Sequence, residues 1–583
     1  MQLGAKQSNP VERTHRRVDR PLTPRLTGAA FLLLAASYAF PAPPEVRGTW
    51  LTTTSNTHIA TPAATANTMQ QLRNLGLNST YVEVWKNGFT EFPSQTMQNL
   101  IGVSMKINPS PGVPVQNRDL LSEALIQSHR NGMANIAWFE YGFAAKFGNP
   151  GTSSTDLAKY MADRGWLLKD SSGAYTNASN GFSWMNPLVP EVRNLLKGIV
   201  LEAVRKYDLD GIQFDDRLAW PVQFGYDDYT RNAYLQETGR NLPASFNDSH
   251  FKAWRAGKVT AFGQELIAAV KAERASVLVS SSPAVAGWAY DNYLVDWPAW
   301  RAAGMFDEII PQVYRSNFND FNRDWDGTGT ITTGGQVQHM GDRRHDFAGG
   351  ISINTGSGVI TWNDAQQMVN LVRATNPPVA GHVWWYSNGV LNTYASPLAG
   401  YYNVAGLGHA PRPDLPANWR PMPTVATRSP TNSSVWNAEV PADGRYRVIR
   451  RVGDTWIEVL STVYAAGSLS LLYSGVDAVE LLVDRRPYLT ADANLDGVVN
   501  IADFSALAAH FNQTGMRWVN GDFDLDRTVG IGDFALLAAN FNRTLHDGGP
   551  VNRPATVPEP ATVGLVGIAL AGACTAARRP RVR

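Results

Sequence analysis

Between residues 45 and 402, short apolar runs alternate with longer stretches of helical periodicity. Eight runs read as strands: EVRGTWLTT (45–53), STYVEVW (79–85), ANIAWFE (134–140), DGIQFDD (210–216), SVLVSSS (276–282), EIIPQVY (308–314), FAGGISI (347–353) and AGHVWWY (380–386). Segments 64–75, 119–130, 190–207 and 362–375 repeat apolar residues at i, i+3 and i+4, the spacing of amphipathic helices. Strands alternating with helices in this way predict an α/β fold, a (β/α)8 TIM barrel with long loops. The alternative is a doubly wound sheet, which normally opens on a Gly-rich first turn that this chain lacks.

After the barrel the pattern changes twice. Residues 403–422 are rich in Pro and Gly and predict a linker. Residues 423–487 alternate in strand fashion (RYRVIRR, TWIEVLS, SLSLLYS, AVELLVD), which predicts a small all-β domain, a β-sandwich. It serves either as a carbohydrate binder or as a spacer packed on the barrel. Residues 488–541 hold an internal duplication with an offset of 30 residues, DANLDGVVNIAD (492–503) and DFDLDRTVGIGD (522–533), each followed by a matching helix, FSALAAHFN and FALLAANFN. Residues 542–556 predict a second linker.

The duplicated loops carry their own chemistry. Side-chain oxygens fall at loop positions 1, 3, 5 and 12: Asp492, Asn494, Asp496 and Asp503, then Asp522, Asp524, Asp526 and Asp533. Position 7 (Val498, Thr528) offers a backbone carbonyl, and position 9 is Asn500 or Gly530. Such a set suits Ca²⁺, which takes about 6–8 oxygen ligands in loops of this kind. Position 6 is Gly497 in the first loop but Arg527 in the second, so the second site is expected to bind less tightly. The pair resembles a type I dockerin, and that resemblance implies a cohesin partner. A calcium-locked spacer is the simpler role.

The ends are addresses. Arginines at 13, 16, 17, 20 and 25, an apolar run at 26–36 and Ser37-Tyr38-Ala39 match a secretory signal peptide spanning 1–39. The run is shorter than the roughly 20 residues a membrane anchor needs. At the other end, Val557-Pro558-Glu559-Pro560, an apolar membrane-spanning segment at 561–577 and four arginines resemble a PEP-CTERM sorting signal (557–583). The resemblance implies export, exosortase processing and a final place at the cell surface or in the extracellular matrix.

Charge and cysteine content narrow the function. Lys and Arg number 51 against 50 Asp and Glu, a formal net charge of +1, so the chain is not built to bind nucleic acid. A single cysteine, Cys574, excludes intramolecular disulfides and Cys-rich zinc sites. The 18 Trp and 20 Tyr suit a sugar-stacking cleft, although a large core also absorbs them.

In a barrel the active site lies at the C-terminal ends of the strands. There the runs end in Glu83 and Trp85, Glu140 and Tyr141, Asp215 and Asp216, Gln312 and Tyr314, and Trp384 and Trp385. Glu45 and Glu308 stand at strand starts, the end that serves stability. Side chains alternate faces along a strand. With Ile212 and Phe214 outward, Gln213 and Asp215 point in; with Val82 and Val84 outward, Glu83 points in. The third strand leaves the choice open, because Trp138 and Phe139 are both apolar. Paired carboxylates among aromatics are the equipment of glycoside hydrolysis, one protonating the leaving oxygen and the other serving as nucleophile or base. The opposing interpretation pairs each acid with an arginine, for example Asp216 with Arg217 or Arg315. A metal-dependent hydrolase is the other enzymatic alternative, but no His pair stands at ligand spacing on the strand ends, and only His382 lies near a rim.

The motifs RGTWLTTTSN, YVEVWKNGFTEFPS, WFEYGF, YDLDGIQFDDRLAWP, WRAGKVTAF, SSSPAVAGWAY and DEIIPQVYR, in this order across about residues 45–400, resemble the glycosyl-hydrolase-like 10 (GHL10) family. The resemblance implies a TIM barrel distantly related to amylase-type glycosidases, in a family that includes bacterial enzymes cutting peptidoglycan glycan strands. Amylase-type barrels carry an Asp nucleophile on strand four, which falls on Asp215. Their general acid is a Glu on strand five, where this chain has Ser280-Ser281-Ser282-Pro283, so Glu140 is taken as the acid instead. Many relatives carry His where this chain has Arg217. The expected protein is a secreted, retaining glycoside hydrolase of a polysaccharide, needing no cofactor for catalysis. Asp216 and Glu83 are its further carboxylates, and Trp85, Tyr141, Gln312, Tyr314, Trp384 and Trp385 hold sugar. Two alternatives stay open: a non-catalytic glycan-binding surface protein, and an assembly component acting through its calcium repeats.

Overall fold

A computed structural model describes residues 43–545 except 55, 107–117, 327–334, 342–345, 357, 403–409, 414 and 416–420. The expected signal peptide and sorting tail lie outside the described residues. Each of the eight expected runs contains a strand: β1 (Val46–Leu51), β2 (Ser79–Glu83), β3 (Ala134–Trp138), β4 (Gly211–Asp215), β5 (Leu278–Ser282), β6 (Glu308–Ile309), β7 (Ala348–Ser352) and β8 (Gly381–Trp385). Neighbours in sequence pair in parallel from β1 to β6, β7 pairs with β8, and β8 pairs back onto β1. Between β6 and β7 only the bridges Ile309–Phe347 and Gln312–Gly350 form. The result is a nearly closed parallel barrel. Strand order never reverses, which sets aside the doubly wound alternative.

Helices α1 (Pro62–Asn74), α2 (Leu120–Arg130) and α3 (Pro190–Lys206) follow the first three strands. Their starts follow local chemistry. Thr61 and Asp119 accept the Ala64 and Ser122 amides as N-caps, and Pro190 opens α3. The alternation of side chains divides the barrel into two cores. Val82, Ile212 and Phe214 face the helices, whereas Trp50, Tyr81, Ile136, Trp138 and Val383 fill the interior. Each fully buried side chain of this size contributes roughly 1.5–3 kcal/mol. The third strand thereby resolves: Trp138 points in and Phe139 out. At the closing seam Gly381 has φ +145°, and a Cβ there would sit 2.2 Å from the Val46 carbonyl oxygen, so no other residue fits.

Part of the expected 403–422 linker is not a linker. The Ala410 carbonyl accepts from Asn78 Nδ2, and buried Arg412 reaches into the barrel floor, donating to Ser79 Oγ at 2.9 Å and Glu308 Oε1 at 2.7 Å. Glu308 is thus the counter-charge of a plug. The expected 542–556 linker also begins paired, since Asn542 and Leu545 amides donate to Val499 and Gly497.

Residues 424–483 form two antiparallel sheets of four and three strands around a shared core that includes Trp436, Tyr446, Val448, Leu471 and Leu481. This sandwich is docked on α2. Ile126 packs with Ile449, Trp456 and Leu482, and Arg130 pairs with Glu480 while lying 3.9 Å over the Trp456 ring. Buried Arg447 bonds His129 and lies 3.7 Å from Asp208; His129 in turn bonds Asp210 at 2.9 Å. The two repeat helices, α4 (Ile501–His510) and α5 (Ile531–Asn540), lie beyond the sandwich.

Candidate active site

The strand ends gather six of the expected site residues into one cleft. Trp50, Trp138, Glu140, Asp215, Asp216, Arg217, Ser282, Gln312, Tyr314 and Trp385 line it. Asp215 is the last residue of β4 and points inward as parity requires, with Gln213 below it accepting from Trp50 Nε1 at 2.7 Å. Glu140 leaves the end of β3 and meets it. Tyr314 stacks on Trp385 with ring centroids 5.9 Å apart, and Trp138 stands edge-on to Trp385. Tyr141 stands behind the acids, with Arg217 5.4 Å over its ring.

Arg217 organises the acids. One guanidinium nitrogen lies 3.1 Å from Glu140 Oε1, 3.0 Å from Asp215 Oδ2 and 3.5 Å from Asp216 Oδ1. Two oxygens at such distances from one nitrogen are no more than about 6 Å apart, which lies under the roughly 6.5–9.5 Å of an inverting pair. The opposing interpretation is therefore right about Arg217, but Arg315 pairs with Asp324 and not with Asp216.

The other face of Glu140 is held by Lys86, whose Nζ lies 3.1 Å from Oε2 and 2.5 Å from Glu83 Oε1. Lys86 comes from a short hairpin, Trp85–Lys86 with Phe89–Thr90, beyond β2. Glu140 is thus ion-paired on both oxygens, each with a different cation. That is a poor setting for the general acid it was expected to be. Asp215 also has both oxygens bonded, but to Arg217 alone: burial and the neighbouring Asp216 push its carboxyl well above the usual range, against the pull of Arg217. Burial and Asp216 raise the Tyr314 hydroxyl as well.

Three expected residues stand elsewhere. Glu83 points inward but is enclosed, accepting from Thr52 and Thr53 and pairing with Lys86, so it steers Lys86 and does not line the cleft. Trp85 is fully buried and donates to the Gly142 carbonyl; Trp384 is fully buried on the outer face of β8 and donates to Tyr402. Neither ring is open to a sugar. His382 is not at the rim: it lies at the start of β8, 3.3 Å from Glu45. The pattern failed for Trp384 and Trp385 because both were taken, although alternation permits only one to point inward. Trp50, Trp138, Arg217, Lys86 and Ser282 went unassigned. Parity on β1 would have found Trp50, and nothing in a lone Trp-Lys-Asn-Gly turn marks Lys86.

The repeats form a second cluster. Asp522, Asp524 and Asp533 each offer a carboxylate oxygen, all within 4.8 Å of one another. Asp522 is 2% exposed, yet its Oδ1 has no hydrogen-bond partner. In loop one, Asp492 accepts the Asp496 and Gly497 amides, and burial with the nearby Asp503 and Asp496 pushes it up to about 7. Asn494, Asn500 and Asp503 surround the same turn, and Val498 and Thr528 each make a bridge to the segment after the opposite helix. Gly497 and Arg527 share a left-handed backbone, φ +88° and +71°. The Arg527 guanidinium reaches Ser468 of the sandwich, which offsets the strain of a side chain at that position.

Among known proteins, the chain is 26% identical over 313 residues to the glycosyl hydrolase DigH of Escherichia coli (strain K12), covering 46% of this chain and 65% of that protein. It is 24% identical over 286 residues to the glycosyl hydrolase YngK of Bacillus subtilis (strain 168), covering 44% and 51%. The chain thus spans between half and two thirds of the length of these relatives. Similar solved structures include the PgaB (BpsB) glycoside hydrolase domain from Bordetella bronchiseptica, with a TM-score of 0.45 and 11% identity over 62% of this chain and 99% of that one. A PEP-CTERM protein-sorting motif matches residues 556–581 and points to export, exosortase processing and C-terminal sorting at the cell surface. Among the described residues no helix is long and apolar enough to cross a membrane. Residues 45–336 match the glycosyl hydrolase-like 10 family, and with half of its length inside that match the chain belongs to this family.

Proposed function

We propose that the protein is an exported glycoside hydrolase that cuts a cell-envelope or extracellular polysaccharide, with peptidoglycan glycan strands the leading candidate. The observation that carries this is the meeting of Glu140 and Asp215 on one Arg217 nitrogen in a cleft walled by Trp50, Trp138, Tyr314 and Trp385. Asp215, whose carboxyl is held above the usual range by burial and Asp216, donates its proton to the leaving oxygen. Glu140, paired with Lys86 and Arg217, attacks the anomeric carbon, and water then releases the sugar. The short carboxylate separation supports this retaining course. Gln312 and Ser282 offer hydrogen bonds to sugar hydroxyls.

A second interpretation, a glycan-binding protein without turnover, is favoured by Arg217 itself, which occupies all three acids. Digestion of peptidoglycan strands with and without stem peptides, read by mass spectrometry beside a binding assay, separates the two. Cleaved strands establish the hydrolase; binding without new reducing ends establishes the binder.

The loops at 492–503 and 522–533 hold Ca²⁺ as a structural ion. The carboxylates of Asp522, Asp524 and Asp533, and the unpartnered Asp522 oxygen, support this. Asp526 completes loop two as Asp496 does loop one. The repeats then stiffen the segment between sandwich and sorting tail.

A further inference from the structure

Beside the cleft, five aromatic rings run in contact. Phe147 meets Phe182 with centroids 5.1 Å apart, Phe182 meets Trp184 at 6.2 Å, Trp184 meets Tyr293 at 5.9 Å and Tyr293 meets Trp288 at 5.4 Å. They come from segments that follow two barrel strands. After β3, strand Ala144–Phe147 pairs with Phe182–Trp184; after β5 comes the helix Ala286–Tyr293. Both ends of the row are open, Phe147 at 63% exposure and Trp288 at 47%. Its middle is fixed, because Trp184 is fully buried and donates to Asn180.

Single exposed aromatics are ordinary. These two are distinguished by the row that joins them and by where that row passes. Arg217, the residue that ties Glu140 to Asp215, lies 5.1 Å over Phe182. Tyr293 is pushed up to about 12 by burial and by the Asp216 charge, which places it beside the same acids. The backbone carbonyl of Tyr293 also accepts from Trp220 in the loop after β4. Charges flanking the row are spent on each other, Lys146 with Asp156 and Lys252 with Asp291. The surface therefore offers ring faces, which suit the apolar face of a sugar ring.

We propose that Phe147 and Trp288 are platforms of an extended glycan subsite, holding the rings of a polymeric chain that runs past the catalytic cleft. The proposal rests on the hydrolase function above and adds that the substrate is a long chain and not a short oligosaccharide. An aromatic platform with an exposed face and a buried base loses little order on binding, because its base is already fixed.

The test uses the full chain and peptidoglycan glycan strands stripped of stem peptides, compared with a tetrasaccharide from the same strands. In Trp288→Ala and Phe147→Ala the ratio of kcat/KM for strands to kcat/KM for tetrasaccharide should fall about ten-fold, the loss of one well-placed aromatic contact. Leu472→Ala, a still more exposed apolar change on the sandwich, should leave that ratio alone. In the Asp215→Asn background, strand affinity measured by calorimetry should fall by the same factor on losing Trp288. An unchanged ratio with unchanged strand affinity overturns the subsite while leaving the hydrolase standing. Equal losses on strand and tetrasaccharide also overturn it, since the rings would then serve the cleft itself. Failure of the unsubstituted protein to bind or cut the strands removes peptidoglycan as the substrate and the subsite for its strands with it.

Discussion

Asp215→Asn separates what this carboxyl does for chemistry from what it does to stability. The side chain is buried, bonded through both oxygens to Arg217, and raised by Asp216. Asparagine keeps its shape and removes its proton. Hydrolysis of polysaccharide should fall about 10²–10⁴-fold, the worth of a positioned general acid. Aryl glycosides whose phenolate leaves without a proton should be spared that loss, whereas Glu140→Gln should abolish turnover of both. Stability should move the other way. The folded pKa of Asp215 lies above its unfolded value near 3.8, so the folded state holds its proton more tightly. Its burden on the fold is absent below that unfolded value and grows as pH rises through the folded pKa. Arg217 keeps Glu140 and Asp216 as partners in the variant, so no buried cation is stranded. The variant carries no desolvated charge at that position, so the fold gains where Asp215 would be ionised. Denaturant unfolding at pH 4 and pH 8 should therefore show near-equal stabilities at pH 4 and a more stable variant at pH 8. A variant less stable at pH 8 would refute the argument from burial. Loss of aryl glycoside turnover in Asp215→Asn, with survival in Glu140→Gln, would exchange the two roles.

Other changes probe the same logic. Arg217→Met strips Asp215 and Asp216 of their cation while Lys86 stays on Glu140; denaturant melts should show a loss of about 3–5 kcal/mol at pH 8 and less at pH 5, where protonation relieves Asp215. A pH-independent loss would contradict the charge account. Ca²⁺ should raise the melting of residues 488–541 and hardly touch the barrel, with Asp496→Ala removing the tighter site; scanning calorimetry without any calcium response would end the structural-ion proposal. Arg447→Met leaves Asp208 and His129 without their buried partner, and should cost about 3–5 kcal/mol in a single cooperative transition. A separate early transition for the sandwich would show the two modules to be independent.

The barrel was legible because alternation and helical spacing are local: Val82, Ile212 and Phe214 announce an outer face, and Glu83, Gln213 and Asp215 follow inward without further information. Charge partnerships were not legible, because they are made between loops. Glu140 looked like a free acid until Lys86, from a hairpin 54 residues earlier, and Arg217, 77 residues later, closed on its two oxygens. Exposure was equally hidden. Trp85 and Trp288 are both tryptophans a few residues beyond a barrel strand end, and only packing distinguishes the one that is enclosed from the one that is open. Arg412 was read as linker because composition describes the segment around it and not the barrel floor it enters.

The docking of the sandwich on α2 bears on how this chain can be divided. Asp208 and Asp210 stand just ahead of β4, whose far end carries Asp215, and they are tied to the sandwich through Arg447 and His129. A barrel cut off at residue 402 would lose its floor plug at Arg412 and expose Ile126, Arg130 and two buried aspartates to water. The smallest portable piece is therefore the barrel together with everything up to Arg486, which the Asp484 carboxylate holds together with Arg445 at that border. The repeats are seated on that piece by Arg517 and Arg527 at the sandwich edge and by Val463, a sandwich residue buried in the repeats' own core.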